Sequence, residues 1–256
     1  MSHSFVFLEK IGKKKEQQLW ARGITDWITF LRTENIPGIS KQVKDYYDRR
    51  IREAQKALAT ENTDYFTQNF PAKEHWRLYD HWKDECGFLD IETDSQGKVI
   101  VVGISNYFTT NHFVRGVNLG KELLEKELSK YNLLVTFNGA AFDLPKLEKQ
   151  LQLQIGIPHI DLKPLCVNQG LKGGLKEVEK MLKLKRPQHL YGNPVELWKA
   201  FHASGDREWL DLLLAYNTED VENLKRIMDN VYQQLSDKIY KQIRPPSGHG
   251  FQSHPL

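Results

Sequence analysis

The sequence predicts an α/β fold, a mixed five-stranded sheet flanked by helices and preceded by a small all-helical amino-terminal module. Three observations carry this. Up to residue 84 apolar residues recur at helical intervals; from Cys86 short, β-branched apolar runs begin; beyond residue 115 helical and extended segments alternate. The chain of 256 residues exceeds one average domain and falls short of two. With 40% apolar, 27% charged and 11% aromatic residues it can bury a core and cover it, which excludes a structureless chain.

In order along the chain, residues 5–84 read as helical, with Trp20, Trp27, Phe30 and Leu31 at helix-like intervals and breaks at Gly12, Gly23, Pro37-Gly38 and Pro71. The span 41–60 is a charged amphipathic helix with Val43, Tyr47, Ile51, Ala54 and Leu58 on one side. Strands follow at 87–92, 99–104 and 111–115, as an antiparallel meander. A helix at 119–130, a buried strand at 133–137, a helix at 144–151 and a strand at 157–162 come next. The remainder is helical, with breaks at Gly173-Gly174, Pro187, 192–194 and Gly205, and a last long helix from about 207 toward 240. The expected division is a helical module at 1–84, a sheet domain at 85–243 and a flexible tail at 244–256, which carries Pro245, Pro246, Gly248, Gly250 and Pro255.

The formal net charge is +3, and all of the excess falls before residue 85. Affinity for a polyanion must therefore come from local patches. Two stand out: Lys13, Lys14 and Lys15, and the set Lys163, Lys172, Lys176, Lys180, Lys183, Lys185 and Arg186. Taken alone, either patch reads equally as a solvated face. Cys86 and Cys166 are too few for a disulfide framework or a thiolate zinc site and read as buried thiols. No apolar run reaches the length of a membrane span, and residues 1–10 lack the apolar centre of a cleavable signal, so a cytoplasmic protein is expected.

Asp90 and Glu92 sit two apart in the otherwise apolar run Gly87-Phe88-Leu89-Asp90-Ile91-Glu92, so both leave one face of a strand while Leu89 and Ile91 enter the other. Like charges about 6 to 7 Å apart on a buried strand repel unless a proton or cation neutralises them, and a hard divalent ion takes oxygen ligands of this kind. Acids at a solvent-facing strand end would look the same, so the pair alone leaves both readings open. Asp143, ahead of Pro145 where a strand gives way to a helix, reads by itself as a helix cap. Crossover logic adds to it: a strand after a helix returns parallel to the first and brings its carboxyl end beside that of the Asp90 strand. Tyr216 and Asp220, four apart on the long terminal helix, share a face near Leu213, Val221 and Leu224. Acids delivered by three separated elements form a constellation.

Asp90-Ile91-Glu92-Thr93, Asn138-Gly139-Ala140-Ala141-Phe142-Asp143 and Tyr216 with Asp220 resemble the three exonuclease motifs of the DEDD superfamily, in the subclass whose Tyr stands three residues clear of the last Asp. Over roughly residues 86–232 the chain is similar to the YprB-like ribonuclease H-like family and, more distantly, to the proofreading domain of family B DNA polymerases. The resemblance implies a ribonuclease H-like fold and a 3′ to 5′ exonuclease using two Mg²⁺ or Mn²⁺ ions. It further implies that Asp90 bridges both ions, that Glu92 and Asp220 hold the one that activates water, that Asp143 holds the second through water, and that Tyr216 orients the nucleophilic water. Two ions about 3.5 to 4 Å apart would stabilise both the attacking and the leaving oxygen. A phenol with a reference pKa near 10 is a poor base at neutral pH, so Tyr216 is assigned positioning.

Within the same motifs Asn138 is expected to hydrogen-bond the terminal nucleotide and Phe142 to wedge or stack on it, with burial in the core as the other reading of Phe142. Gly173-Gly174 with Lys176 reads either as a phosphate-admitting turn or as a plain loop before an amphipathic helix. Asp161 is expected to cap the segment after it, and with His159 is left out of the metal set. Residues 5–31 resemble a helix-hairpin-helix unit in which backbone amides near Gly12, aided by Lys13, Lys14 and Lys15, would grip a phosphate; Lys10 stands where that pattern usually has glycine. The other reading is a helical hairpin packing its tryptophans. The function expected is hydrolysis of single-stranded nucleic-acid ends, DNA in preference to RNA. The alternatives are a non-catalytic nucleic-acid-binding module and an endonuclease on the same scaffold.

Overall fold

The computed structural model describes residues 1–187 and 193–243. The expected tail at 244–256 and the break at Gly192 lie outside those residues. The amino-terminal region supplies Lys13–Ala21 (α1), Trp27–Arg32 (α2), Lys41–Ala59 (α3), Thr63–Asn69 (α4) and a 3-10 turn, Ala72–Leu78. Next come strands Cys86–Thr93 (β1), Val99–Ser105 (β2) and Thr110–Val114 (β3), helix Lys121–Leu128 (α5), strand Leu133–Thr136 (β4), helix Asp143–Leu151 (α6) and strand His159–Asp161 (β5). Four helices close the described chain: Leu162–Asn168 (α7), Leu175–Met181 (α8), Pro194–Ser204 (α9) and the 37-residue Arg207–Ile243 (α10).

Among the described residues the strands form one sheet in the order β3-β2-β1-β4-β5. β2 runs antiparallel to both β1 and β3, while β4 and β5 are parallel to β1, so the sheet is the mixed five-stranded one expected. Alternation along β1 sorts its side chains: Cys86 and Phe88 join the cluster that contains Leu224 and Val231 of α10, whereas Leu89 and Ile91 pack with Leu124, Leu128 and Leu147 of α5 and α6. Asp90 and Glu92 continue the row of Phe88 and therefore face α10. β1 also outruns its neighbour. The pairing with β4 ends at Phe88 and Val135, which leaves Asp90, Ile91 and Glu92 as an overhang.

The amino-terminal helices share an apolar core with the sheet: Phe5, Trp27, Phe30 and Phe66 belong to the same cluster as Phe88, Val135 and Leu224. The helical reading of residues 5–84 needs one correction. Residues 4–11 form successive turns, Leu8 N–H to Phe5 O and Ile11 N–H to Leu8 O at 3.0 Å each, and no helix precedes α1 as a helix-hairpin-helix unit would require. Side chains satisfy this stretch instead of helical bonds. Glu16 accepts from Phe5 N–H at 2.7 Å, and the indoles of Trp20 and Trp27 donate to His3 O and Ser4 O at 3.0 and 2.6 Å. Lys10 does adopt φ 61°, the left-handed conformation a glycine would take there. In α3 the inward stripe is Lys44, Tyr47, Ile51, Ala54 and Ala57; Val43 is exposed, and Lys44 sits over the ring of Phe30 at 5.0 Å. Cys86 and Cys166 are free and buried. Among the described residues no helix is long and apolar enough to cross a membrane.

Glu16, almost fully buried, receives both ends of the Arg77 guanidinium at 3.2 and 2.9 Å, while Arg77 Nε donates to Glu74 at 2.9 Å. This joins α1 to the 3-10 turn. Glu16→Ala leaves Phe5 N–H and the buried Arg77 Nη2 without an acceptor, while Nη1 keeps Ser4 Oγ, and is expected to lower unfolding free energy by about 3 kcal/mol, measured by urea titration.

Candidate metal centre

Each acid reaches the centre for a local reason. Asp90 and Glu92 project from the β1 overhang toward α10, and Asp220 projects back from α10. Ligand oxygens of Asp90, Glu92 and Asp220 lie within 4.8 Å of one another. Glu92 Oε1 is buried with no hydrogen-bond partner among the described residues. The three line an open cavity of about 300 Å³ that is completed by Ile91, Leu175, Lys176, Glu177 and Tyr216. An unpartnered carboxylate oxygen beside two other carboxylates is a donor set that suits a hard divalent cation.

Asp143 does not cap its own helix. Its Oδ1 accepts the N–H of Ile91 at 3.1 Å, the amide that β4, being short, leaves unpaired on the overhang. The loop that delivers Asp143 is built by Asp161, whose carboxylate accepts from Asn138 N–H at 2.8 Å, Ala140 N–H at 3.3 Å and, as the cap of α7, Lys163 N–H at 3.0 Å. Asn138 turns the chain with φ 65°, and Gly139 N–H donates to Thr136 Oγ1 at 3.0 Å, which itself meets His159 Nε2 at 2.8 Å. Asp161 and His159 thus serve the loop, and Asp143, held on Ile91 N–H, is not among the three acids whose oxygens cluster.

The electrostatics follow from crowding. Burial, then Asp220, Asp143 and Glu92, pushes the Asp90 carboxyl well above the usual range. Burial and Asp220 raise Glu92 to about 8, against the opposing pull of Lys176. Burial raises Asp143 against its backbone hydrogen bonds and raises Asp220 against Arg186. Tyr216 is pushed up by burial and by Asp220 and Glu92, so its phenol stays protonated at neutral pH.

Two cations counter the acids. Lys176 donates to Tyr216 Oη, with its ammonium 4.3 Å from the ring centroid. Arg186, a member of the predicted basic patch, is not on a solvated face: its buried guanidinium donates to Glu179 at 2.7 Å and to Asp220, and lies 5.3 Å from the Tyr216 ring. The sequence places it only in a basic patch, because its partners Glu179 and Asp220 lie on other elements. Asn217 was also passed over, although a polar residue on the stripe of Leu213, Val221 and Leu224 was a visible signal; it donates to Asp90 Oδ2 at 2.9 Å. At Gly173-Gly174 the Gly174 N–H is taken by Glu177 Oε2 of its own helix at 3.0 Å, an arrangement that agrees with the reading as a loop before an amphipathic helix. Phe142 is exposed beneath Lys146, which sits 4.7 Å from its ring centroid, so the core reading of Phe142 is wrong. Lys13, Lys14 and Lys15 are exposed at the start of α1, Lys13 paired with Glu74 at 2.9 Å. Lys13 also lines a cleft of about 600 Å³ that reaches Ala140 on the loop of Asp143.

A family model described as the RNase_H superfamily matches residues 87–232, the span that holds all five strands except the first residue of β1 and every acid of the centre. The chain belongs to the RNase H superfamily. No curated protein matches it. Membership agrees with the mixed sheet and brings a nuclease scaffold, for which divalent metal is the general cofactor, to an acidic cluster at the carboxyl end of β1.

The raised carboxyl groups bind protons more tightly folded than unfolded, so their ionisation lowers stability as pH rises through the interval from their ordinary range up to about 8. In chelator-treated protein, Glu92→Gln removes one of the repelling charges. Its melting temperature is expected to exceed the parent's by about 2 °C at pH 9, and the gap to close toward pH 6.5; scanning calorimetry at the two pH values checks this.

Proposed function

We propose that the protein is a 3′ to 5′ exonuclease that hydrolyses phosphodiester bonds at single-stranded nucleic-acid ends, DNA in preference to RNA, with Mg²⁺ or Mn²⁺. The observation that carries this reading is the gathering of Asp90, Glu92 and Asp220 within 4.8 Å beside the protonated phenol of Tyr216. Asp90, Glu92 and Asp220 would hold one ion, and Asp90 with Asp143 a second. When bound, the pair supplies charge compensation for the attacking and leaving oxygens and lowers the pKa of the nucleophilic water.

The remaining roles belong to the chain itself. Tyr216 donates a hydrogen bond that orients the attacking water and does not act as a base. Lys176, already beside Tyr216 and Glu92, is placed to meet a phosphate oxygen of the scissile group. Asn138 contacts the terminal nucleotide and Phe142 offers an exposed ring for a base to stack on. The strand leads away through the cleft that joins Ala140 to Lys13, with Lys14 and Lys15 adding weak phosphate contacts. One observation favours the binding-module reading: Arg186 engages Asp220, a ligand that catalysis requires. Release of nucleotides separates the two.

With end-labelled single strands and Mn²⁺, Asp90→Ala and Asp220→Ala are expected to reduce nucleotide release below detection while circular dichroism stays unchanged. Tyr216→Phe should slow release about 100-fold without ending it. Nucleolysis by Asp90→Ala at the parent rate would reject the assignment. Replacing Lys13, Lys14 and Lys15 together by Glu should weaken strand binding and flatten the slope of log affinity against log salt by up to about 2, read by fluorescence anisotropy between 50 and 200 mM salt.

A further inference from the structure

We propose that Asn217 is a positioning residue for the metal centre, its amide seated over Gly103 so as to aim the Asp90 carboxylate at Glu92 and Asp220. This rests on the metal-centre reading above and adds to it a residue that touches neither substrate nor ion.

Asn217 is fully buried on the side of α10 that meets the sheet. Its Nδ2 donates to Asp90 Oδ2 at 2.9 Å, while its Oδ1 is buried with no partner among the described residues. The reversed amide would place an oxygen against that carboxyl, so the donor orientation is the one that suits Asp90 as a carboxylate ligand of a cation. Directly across the β1–β2 ladder from Asp90 stands Gly103. A Cβ at position 103 would stand 2.9 Å from Asn217 Cγ, overlap its Oδ1, and lie 3.4 Å from Val221 Cγ1. Gly103 lies in the middle of a fully buried strand, where glycine weakens the strand and offers nothing to pack.

Two locally unfavourable choices therefore coincide at one place, an orphaned buried acceptor and a glycine inside a central strand. A leucine at position 217 would cure the first, as far as packing alone is concerned. Both choices make sense together if the amide must reach Asp90: the glycine admits the side chain, and the unsatisfied oxygen is the unavoidable other half of the group that donates. Fixing the ligand through its second oxygen leaves Oδ1 free for an ion, the role that outer hydrogen bonds play at metal sites.

The test is calorimetric titration of Mn²⁺ into metal-free full-length protein, with thermal melting of the same samples. Asn217→Leu fills the space, removes the donor and abolishes the orphan. It is expected to melt no lower than the parent yet bind Mn²⁺ about 10-fold more weakly, with exonuclease activity regained at proportionally higher Mn²⁺. Asn217→Ala should lose affinity similarly, and Asn217→Ala combined with Gly103→Ala should lose no more than Asn217→Ala alone, because both substitutions act on one contact. Parent-like Mn²⁺ affinity in Asn217→Leu, or additive losses in the double variant, would overturn the inference and leave the metal centre standing. A parent protein that binds Mn²⁺ no better than Asp90→Asn would overturn the metal-centre reading and this inference with it.

Discussion

Gathering the carboxylates of Asp90, Glu92 and Asp220 into a space 4.8 Å across is opposed by Coulomb repulsion, and the apolar seam between α10 and the sheet is what overcomes it. At an effective dielectric constant near 20, each fully ionised pair at that separation costs about 3 to 4 kcal/mol. Leu213, Val221, Leu224, Ile227, Met228 and Val231 of α10 are all fully buried, and at about 1.5 to 3 kcal/mol each their burial exceeds the repulsion of three such pairs or matches it at the low end. Burial and the neighbouring charges favour protons on Asp90 and Glu92, and burial favours one on Asp220, which relieves part of the remainder. The centre is consequently a strained region carried by a well-packed one, and a cation is the natural partner that would relax it.

The unequal lengths of β1 and β4 turn that strain into a shaped site. Were β4 as long as β1, the Ile91 amide would be consumed in the ladder and no room would remain for the Asp143 side chain. Because β4 stops at Thr136, the chain can turn at Asn138, tie its amides to Asp161 and return Asp143 to the exposed edge of β1. On the opposite side, a chain of bonds from the exposed Arg226 through the buried Asn223 and Glu179 to Arg186 fixes a guanidinium against Asp220. The acids therefore sit between two preorganised polar frameworks, one from the loop after β4 and one linking α8 with α10.

The amino-terminal region belongs to the same packing. Its aromatic residues enter the cluster that backs Phe88 and α10, and Glu16 with Arg77 fastens the first turns to the segment leading into β1. Lys10 takes the left-handed turn that glycine would favour, so the turn before α1 is imposed by the tethers of Glu16, Trp20 and Trp27 and not by local backbone freedom.

The primary structure alone was enough for the order of strands and helices from Cys86 onward, the parallel return of β4, and the acids Asp90, Glu92 and Asp220 that the fold gathers, because these depend on short periodicities and on side-chain types that stand out against apolar runs. Asp161 was legible as a cap for the same local reason. The turns of residues 4–11, the exposure of Phe142, the capture of Gly174 N–H by Glu177 and the placement of Arg186 and Asn217 were not. Gly174 and Phe142 meet partners three and four positions away, contacts that depend on one side-chain rotamer and not on apolar periodicity; the others are settled by partners 11 to 127 positions away, whose approach depends on how helices dock on the sheet. Periodicity records which face of an element is apolar; it carries no record of which polar groups will meet once those faces are buried, and that meeting is what converts three carboxylates into a centre.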